Sequence, residues 1–135
     1  ISALEALGIT VLQVPDETGK VNLTELMYVL HDMKIDSILL EGGGTLNESM
    51  LRADLVNEIK VFIAPKVIGG ALAKSPVEGL GIDDIKDAVV FKLINVEKFD
   101  DDILLEYRRK FFCLPELLKN WELSENYMSP VIRVP

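Results

Sequence analysis

Sulfur ligands, long apolar runs and surplus positive charge are all scarce in this 135-residue chain, and each scarcity removes a class of function. The single cysteine, Cys113, has no second thiol for an internal disulfide and no neighbouring Cys or His with which to build a zinc site. Redox chemistry on sulfur and a structural metal are therefore not expected. No stretch approaches the ~20 consecutive apolar residues that cross a bilayer, and the start lacks the basic-then-apolar layout of a secretion signal. A cytoplasmic protein without a membrane partner is expected. Basic residues number 14 against 22 acidic ones, a formal net charge of -8, which leaves no lysine and arginine surface for a nucleic-acid backbone. An anionic ligand must then be held locally. Backbone amides at a helix start can do this inside an acidic protein, because they act over a few ångströms while net charge is screened within about 8–10 Å.

What is present is an ordinary globular composition, 49% hydrophobic and 27% charged, with enough residues for one domain and its core. The first residue is Ile1 rather than methionine, so a processed or partial chain is expected. Apolar spacing switches repeatedly between the helical and strand periods, the pattern of an α/β domain. Ser2 to Leu7 reads as a last helical turn stopped by Gly8, Ile9 to Val14 as a short strand, and Pro15 to Lys20 as a turn. Asn22 offers a cap with Glu25 three residues on, predicting a helix over Leu23 to Met33. Ser37 to Leu40 reads as a buried parallel strand running into Glu41 and three glycines. Thr45 with Glu48 suggests a second capping box ahead of a helix over Leu46 to Ala53.

Ile59 to Ala64 reads as the next strand, and Ala71 to Gly81, with Pro76, Gly79 and Gly81, as a loop. Val89 to Val96 and Ile103 to Arg109 read as an antiparallel pair turning around Phe99 to Asp102. Beyond Lys110 the pattern loses definition. A short helix at Pro115 to Leu118 and an extended end over Met128 to Pro135 are expected there, and residues 110–135 are set apart as a tail.

The segment that carries chemistry is strand, Glu41, Gly42 to Gly44, Thr45, helix. Glycines at a strand-to-helix turn allow positive backbone dihedrals and remove side chains that would obstruct a ligand. The helix start adds unpaired amides and the positive end of its dipole. A pyrophosphate would sit well there. On pattern alone a tight turn is an equal reading, since neither the spaced-glycine dinucleotide fingerprint nor the phosphate loop ending in lysine is present.

The wider run is more specific: ILLEGGGTLN from Ile38 to Asn47, then Leu51, Leu55, Val56, Glu58, and VFIAPKVIGG from Val61 to Gly70. To these are added KSPV from Lys74 to Val77, Gly79 to Ile82, and DILLEY from Asp102 to Tyr107. Together they resemble the reductase domain of the bifunctional riboflavin biosynthesis deaminase/reductase and the stand-alone ribosylaminopyrimidine reductases, over roughly Ile1 to Arg109. The resemblance implies a dihydrofolate-reductase-like three-layer α/β/α sheet, mostly parallel with an antiparallel C-terminal strand pair. It also implies NADPH-dependent reduction of 5-amino-6-(5-phosphoribosylamino)uracil, with hydride delivered to the sugar's C1′. By the same resemblance Glu41 contacts substrate, and Gly43, Gly44, Thr45, Leu46, Asn47, Glu48 and Ser49 line the NADPH phosphates. No further catalytic residue is assigned.

The matched length is about half of that family's reductase domain, so the other half and the deaminase domain are expected to be missing before Ile1. A sheet left so open should be covered by a homo-oligomer partner or by the missing half. Two other readings stay open: a non-catalytic nucleotide-binding or subunit-association module, and a reductase of the same fold acting on a pterin or another heterocycle. The remaining polar and aromatic residues have simpler uses. His31 reads as a satisfied helix residue, Asp100 to Asp102 as a hairpin turn and Lys66 as a snorkelling strand-end lysine. Phe111, Phe112, Trp121 and Tyr127 read as packing residues of the tail.

Overall fold

The structure, a computed structural model, describes residues 1–109 and 131–134. The expected helix at Pro115 to Leu118, Cys113 and the aromatic residues of the tail lie outside these. The chain divides into two compact units, residues 1–34 and residues 35–135.

In the first unit, α1 is a single turn, Ser2–Glu5, ended where Gly8 adopts φ 79 and the Ile9 amide turns back to the Leu4 carbonyl at 3.2 Å. The strand expected over Ile9 to Val14 does not form. Only an isolated bridge joins Pro15 to Val21, and no described strand pairs with the apolar run. Alternation suits a run to a sheet but supplies no partner, and Pro15 removes a ladder donor at its end. The turn after it is closed by Asp16, whose Oδ1 accepts from the Thr18 amide, the Thr18 hydroxyl and the Lys20 amide, each at 2.8 Å. The Thr18 hydroxyl first, and then the Lys20 and Thr18 amides, hold the Asp16 carboxyl below its ordinary range. Helix α2, Leu23–Asp32, starts as its sequence specifies: Asn22 Oδ1 accepts from the Glu25 amide at 3.0 Å.

The second unit carries a five-stranded sheet made of β1 (Leu39–Leu40), β2 (Glu58–Ile63), β3 (Phe91–Phe99), β4 (Asp102–Arg109) and β5 (Val131–Val134), in the order β1-β5-β2-β4-β3. β5 runs parallel to β1 and β2, whereas β2–β4 and β4–β3 are antiparallel. The hairpin turns at Asp100, φ 51, a conformation that Asp tolerates. This is the use expected of the acidic triplet.

Strand alternation gives β2 and β4 one wholly apolar face and one mixed face. Ile59, Val61 and Ile63 stand opposite Tyr107, Leu105 and Ile103 on one face. On the other, Glu58, Lys60 and Phe62 stand opposite Arg108, Glu106 and Leu104. There Arg108 Nε donates to Glu58 at 2.9 Å, Asn95 Nδ2 donates to Glu106 at 2.9 Å, and Lys60 pairs with Glu106. These hydrogen bonds, the one from Lys60 first, hold the Glu106 carboxyl below its ordinary range. A bulge between Leu93 and Asn95 resets β3 so that Asn95 reaches that ladder.

Helix α3, Gly44–Arg52, turns Gly44, Asn47 and Met50 inward. Leu55 and Val56 follow and, with Met50 and Leu104, are the buried apolar residues among those described. Each such side chain contributes about 1.5–3 kcal/mol when fully withdrawn from water. The turn between α3 and β2 uses Asp54 at φ 64. It is fastened to the end of β4 twice, by the Arg109 amide donating to the Asn57 carbonyl at 2.8 Å and by an Arg109–Asp54 ion pair.

Candidate functional site

The glycine segment lies between β1 and α3, but its geometry differs from the sequence expectation in two respects. Gly42, Gly43 and Gly44 all keep ordinary backbone dihedrals, so positive φ is not why glycine is used here. The helix also begins two residues earlier than the proposed Thr45 cap implies. Gly43, at φ -68 and ψ 160, occupies the cap position, with no side-chain hydrogen bond. Thr45 lies inside the first turn, and Glu48, freed from any capping box, instead binds Arg52 Nε at 2.8 Å.

Steric room explains the glycines better. A Cβ on Gly44 would stand 2.5 Å from Glu78 Cγ and 2.7 Å from the Ser75 carbonyl oxygen, so the loop at residues 75–78 packs directly on that α-carbon. A Cβ on Gly42 would meet Leu46 Cδ2 at 2.9 Å. At Gly43 a Cβ would meet nothing within 4 Å. Gly44 is thus required by the chain's own packing, Gly42 meets only the movable end of the exposed Leu46 side chain, and Gly43 faces open space. The amides of Leu46 and Asn47 both turn to the Gly43 carbonyl, at 3.0 and 3.1 Å. Those of Gly44 and Thr45 have no partner among the described residues, as the first donors of a helix require.

The residues expected to line a cofactor therefore separate into two groups. Gly43, Thr45 and Leu46 are exposed around the open helix start. Gly44 and Asn47 face inward. Asn47, 2% exposed, donates through Nδ2 to the Pro76 carbonyl at 2.8 Å, while its Oδ1 has no partner among the described residues. Ser49 returns its hydroxyl to the Thr45 carbonyl at 2.9 Å, and Glu48 is held by Arg52. Glu41 is exposed at the end of β1, adjoining the loop. His31 falls in the other unit, on α2.

Sequence reasoning did not see the strap that backs this segment. Residues 75–81 run along α3 and touch it at three points: the Glu78 amide donates to the Gly44 carbonyl at 3.0 Å, Asn47 donates to Pro76, and Arg52 Nη2 donates to the Gly81 carbonyl at 2.8 Å. The available signal was the recurrence of Gly79 and Gly81, both at positive φ, beside Pro76. Behind α3 a cavity of about 360 Å³ opens toward the sheet, walled by Asn47, Leu51, Ile59, Val61, Phe91 and Tyr107. Its lining carries no charged side chain, so it suits apolar packing and not a phosphate. The anion-compatible surface is the open helix start. Among the described residues no cluster of three or more potential metal ligands occurs, and no helix is long and apolar enough to cross a membrane.

Comparison with known proteins gives the family and the fold. The family model for the RibD C-terminal domain matches residues 2–105. The riboflavin biosynthesis protein RibD of Actinobacillus pleuropneumoniae is 44% identical over 107 residues, covering 79% of this chain and 28% of that protein. A 2,5-diamino-6-ribosylamino-4(3H)-pyrimidinone 5′-phosphate reductase from Methanothermobacter thermautotrophicus is 43% identical over 93 residues, 69% of this chain and 43% of that one. The solved structure of Acinetobacter baumannii RibD, form 1, superposes with a TM-score of 0.66 at 25% identity, over 80% of this chain and 28% of its own. The chain thus spans well under half the length of these relatives. From its ordered motifs, its strand-glycine-helix unit and these matches, the chain belongs to the RibD C-terminal domain family.

Proposed function

We propose that this chain is the cofactor-loop part of a reductase acting on a phosphorylated ribosylaminopyrimidine, 5-amino-6-(5-phosphoribosylamino)uracil, with NADPH as reductant and a ribitylamino product. The relatives' names supply the reaction class. The observation that carries the cofactor assignment is local: Gly43, the cap of α3, has open space where a side chain would be, next to the Gly44 and Thr45 amides, which have no partner among the described residues. An open helix start supports a diphosphate there, because the helix dipole favours its charge.

In this reading Gly43, Gly44, Thr45 and Leu46 touch the cofactor. Asn47, Glu48 and Ser49 hold the helix and its strap in position behind them. Glu41, at the end of β1, meets the substrate. When bound, the nicotinamide supplies the hydride, and the protein's task is to orient the sugar carbon against it and exclude water. Residues 1–109 carry the family-like reductase part and residues 110–135 follow it, contributing β5 to the same sheet, and the protein works in the cytoplasm as a homo-oligomer or with a complementing half-domain.

A second reading is a nucleotide-binding module without turnover of its own, which rests on the same open helix start. Mixing the purified chain with NADPH and the pyrimidine, and following absorbance at the nicotinamide band, separates the two. The loop assignment is tested by Gly43→Val, which should weaken NADPH binding by at least about ten-fold, or 1.4 kcal/mol, with the fold retained. Unchanged affinity would remove it.

A further inference from the structure

We infer that the C-terminal strand β5 is the element that positions the cofactor loop from its strand side. The loop has two ends. At the helix end Gly44 is fixed by the strap and Asn47 is bonded to Pro76. At the other end the chain enters from β1, which is only two residues long and is paired with β5, Leu39 to Val131 and Leu40 to Ile132. No other described strand pairs with β1, which lies at the edge of the sheet.

The same Val131 is in register with Glu58, and Ile132 with Ile59, so β5 fills a one-strand gap between β1 and β2. Without it those strands stand about 9.6 Å apart, two strand spacings, beyond any backbone hydrogen bond. Leu39 and Leu40 would then have no ladder, and Glu41, directly after them, would lose its fixed origin. The spacer is short by design of the sequence: Pro130 precedes it and Pro135 follows it, and neither can donate to a ladder. β5 also lies outside residues 2–105, which the family model matches. Loop placement in this chain is therefore assigned to a segment that the family match does not include. The structural half of the inference stands without the proposed function, and its consequence for NADPH rests on it.

The test uses the full chain and backbone hydrogen exchange read residue by residue by NMR. In the unmodified protein Leu39 and Leu40 should exchange through the same opening as β5, with matching denaturant dependence, and earlier than β4. Ile132→Pro removes a ladder donor from a strand paired on both sides. It should lower the protection of Leu39 and Leu40 at least ten-fold while β4 keeps its own, and Ile132→Val should not. A peptide spanning Ser129 to Pro135, added to the proline variant, should restore it. Protection of Leu39 and Leu40 that outlives β5 in the unmodified chain, or that survives Ile132→Pro, overturns the inference. Loss of that protection without a change in NADPH affinity would uphold the strand's role and instead defeat the cofactor reading.

Discussion

The amide of Glu78 donates to the carbonyl of Gly44 at 3.0 Å, and its side chain lies so close to the Gly44 α-carbon that a Cβ there would come within 2.5 Å of Cγ. The strap and the helix start are thus in direct backbone contact. This contact makes the second and third glycines of the run chemically different positions.

Gly44→Ala should therefore destabilise the fold by about 1–3 kcal/mol, because the blocking atoms include the Ser75 carbonyl and cannot simply rotate away. Gly43→Val, with nothing in reach, should cost roughly 1 kcal/mol or less. Urea unfolding followed by circular dichroism measures both. Equal costs at the two sites would show that the strap does not pack as described.

Asn47 provides a second test, with a pH signature. Removing its donor with Asn47→Ala should cost about 1–3 kcal/mol through the lost bond to Pro76. Asn47→Asp should cost about 3 kcal/mol or more at neutral pH, since it aims a buried carboxylate at a carbonyl oxygen. On acidification the aspartate variant should regain stability relative to the alanine variant, because a protonated carboxyl can donate. An aspartate variant that matches the parent at pH 7 would contradict the bond.

Asp54 combines a left-handed backbone with a charge. Asp54→Asn keeps a residue that accepts φ 64 and loses only the pair with Arg109, a partly exposed interaction of about 1 kcal/mol or less. Asp54→Val should cost a further 1–2 kcal/mol, approximately, from the β-branched side chain in that conformation. Thermal unfolding of the two variants should rank them in that order, and equal melting temperatures would exclude backbone strain.

The Lys60–Glu106–Asn95 ladder makes the sheet sensitive to acid. Because the Glu106 carboxyl is held below its ordinary range, its contribution is complete above that range and drains away as pH falls through the lower, folded-state value. Glu106→Gln should flatten the acid limb of the stability curve and leave the alkaline limb alone. An unchanged acid limb would place the sensitivity elsewhere.

Local chemistry was legible in the chain without coordinates. Asn22 with Glu25 marked the start of α2 to the residue, the apolar-polar alternation marked β2 and β4, and the acidic triplet marked the hairpin, because each is settled by dihedral preference or side-chain period within a few residues. The glycine run was legible as a strand-to-helix turn but not in its packing. Its reason is steric, and the atoms that crowd Gly44 come from residues more than thirty positions away.

What the sequence determined by itself was the family, the strand-glycine-helix unit and the acidic, cysteine-poor composition. Only the tertiary structure decided that Ile9 to Val14 would find no ladder, that Asn47 would face inward, and that four residues near the C-terminus would stand between β1 and β2. Those outcomes depend on which backbone donors and acceptors are left unpaired once distant segments meet, and no local preference encodes that.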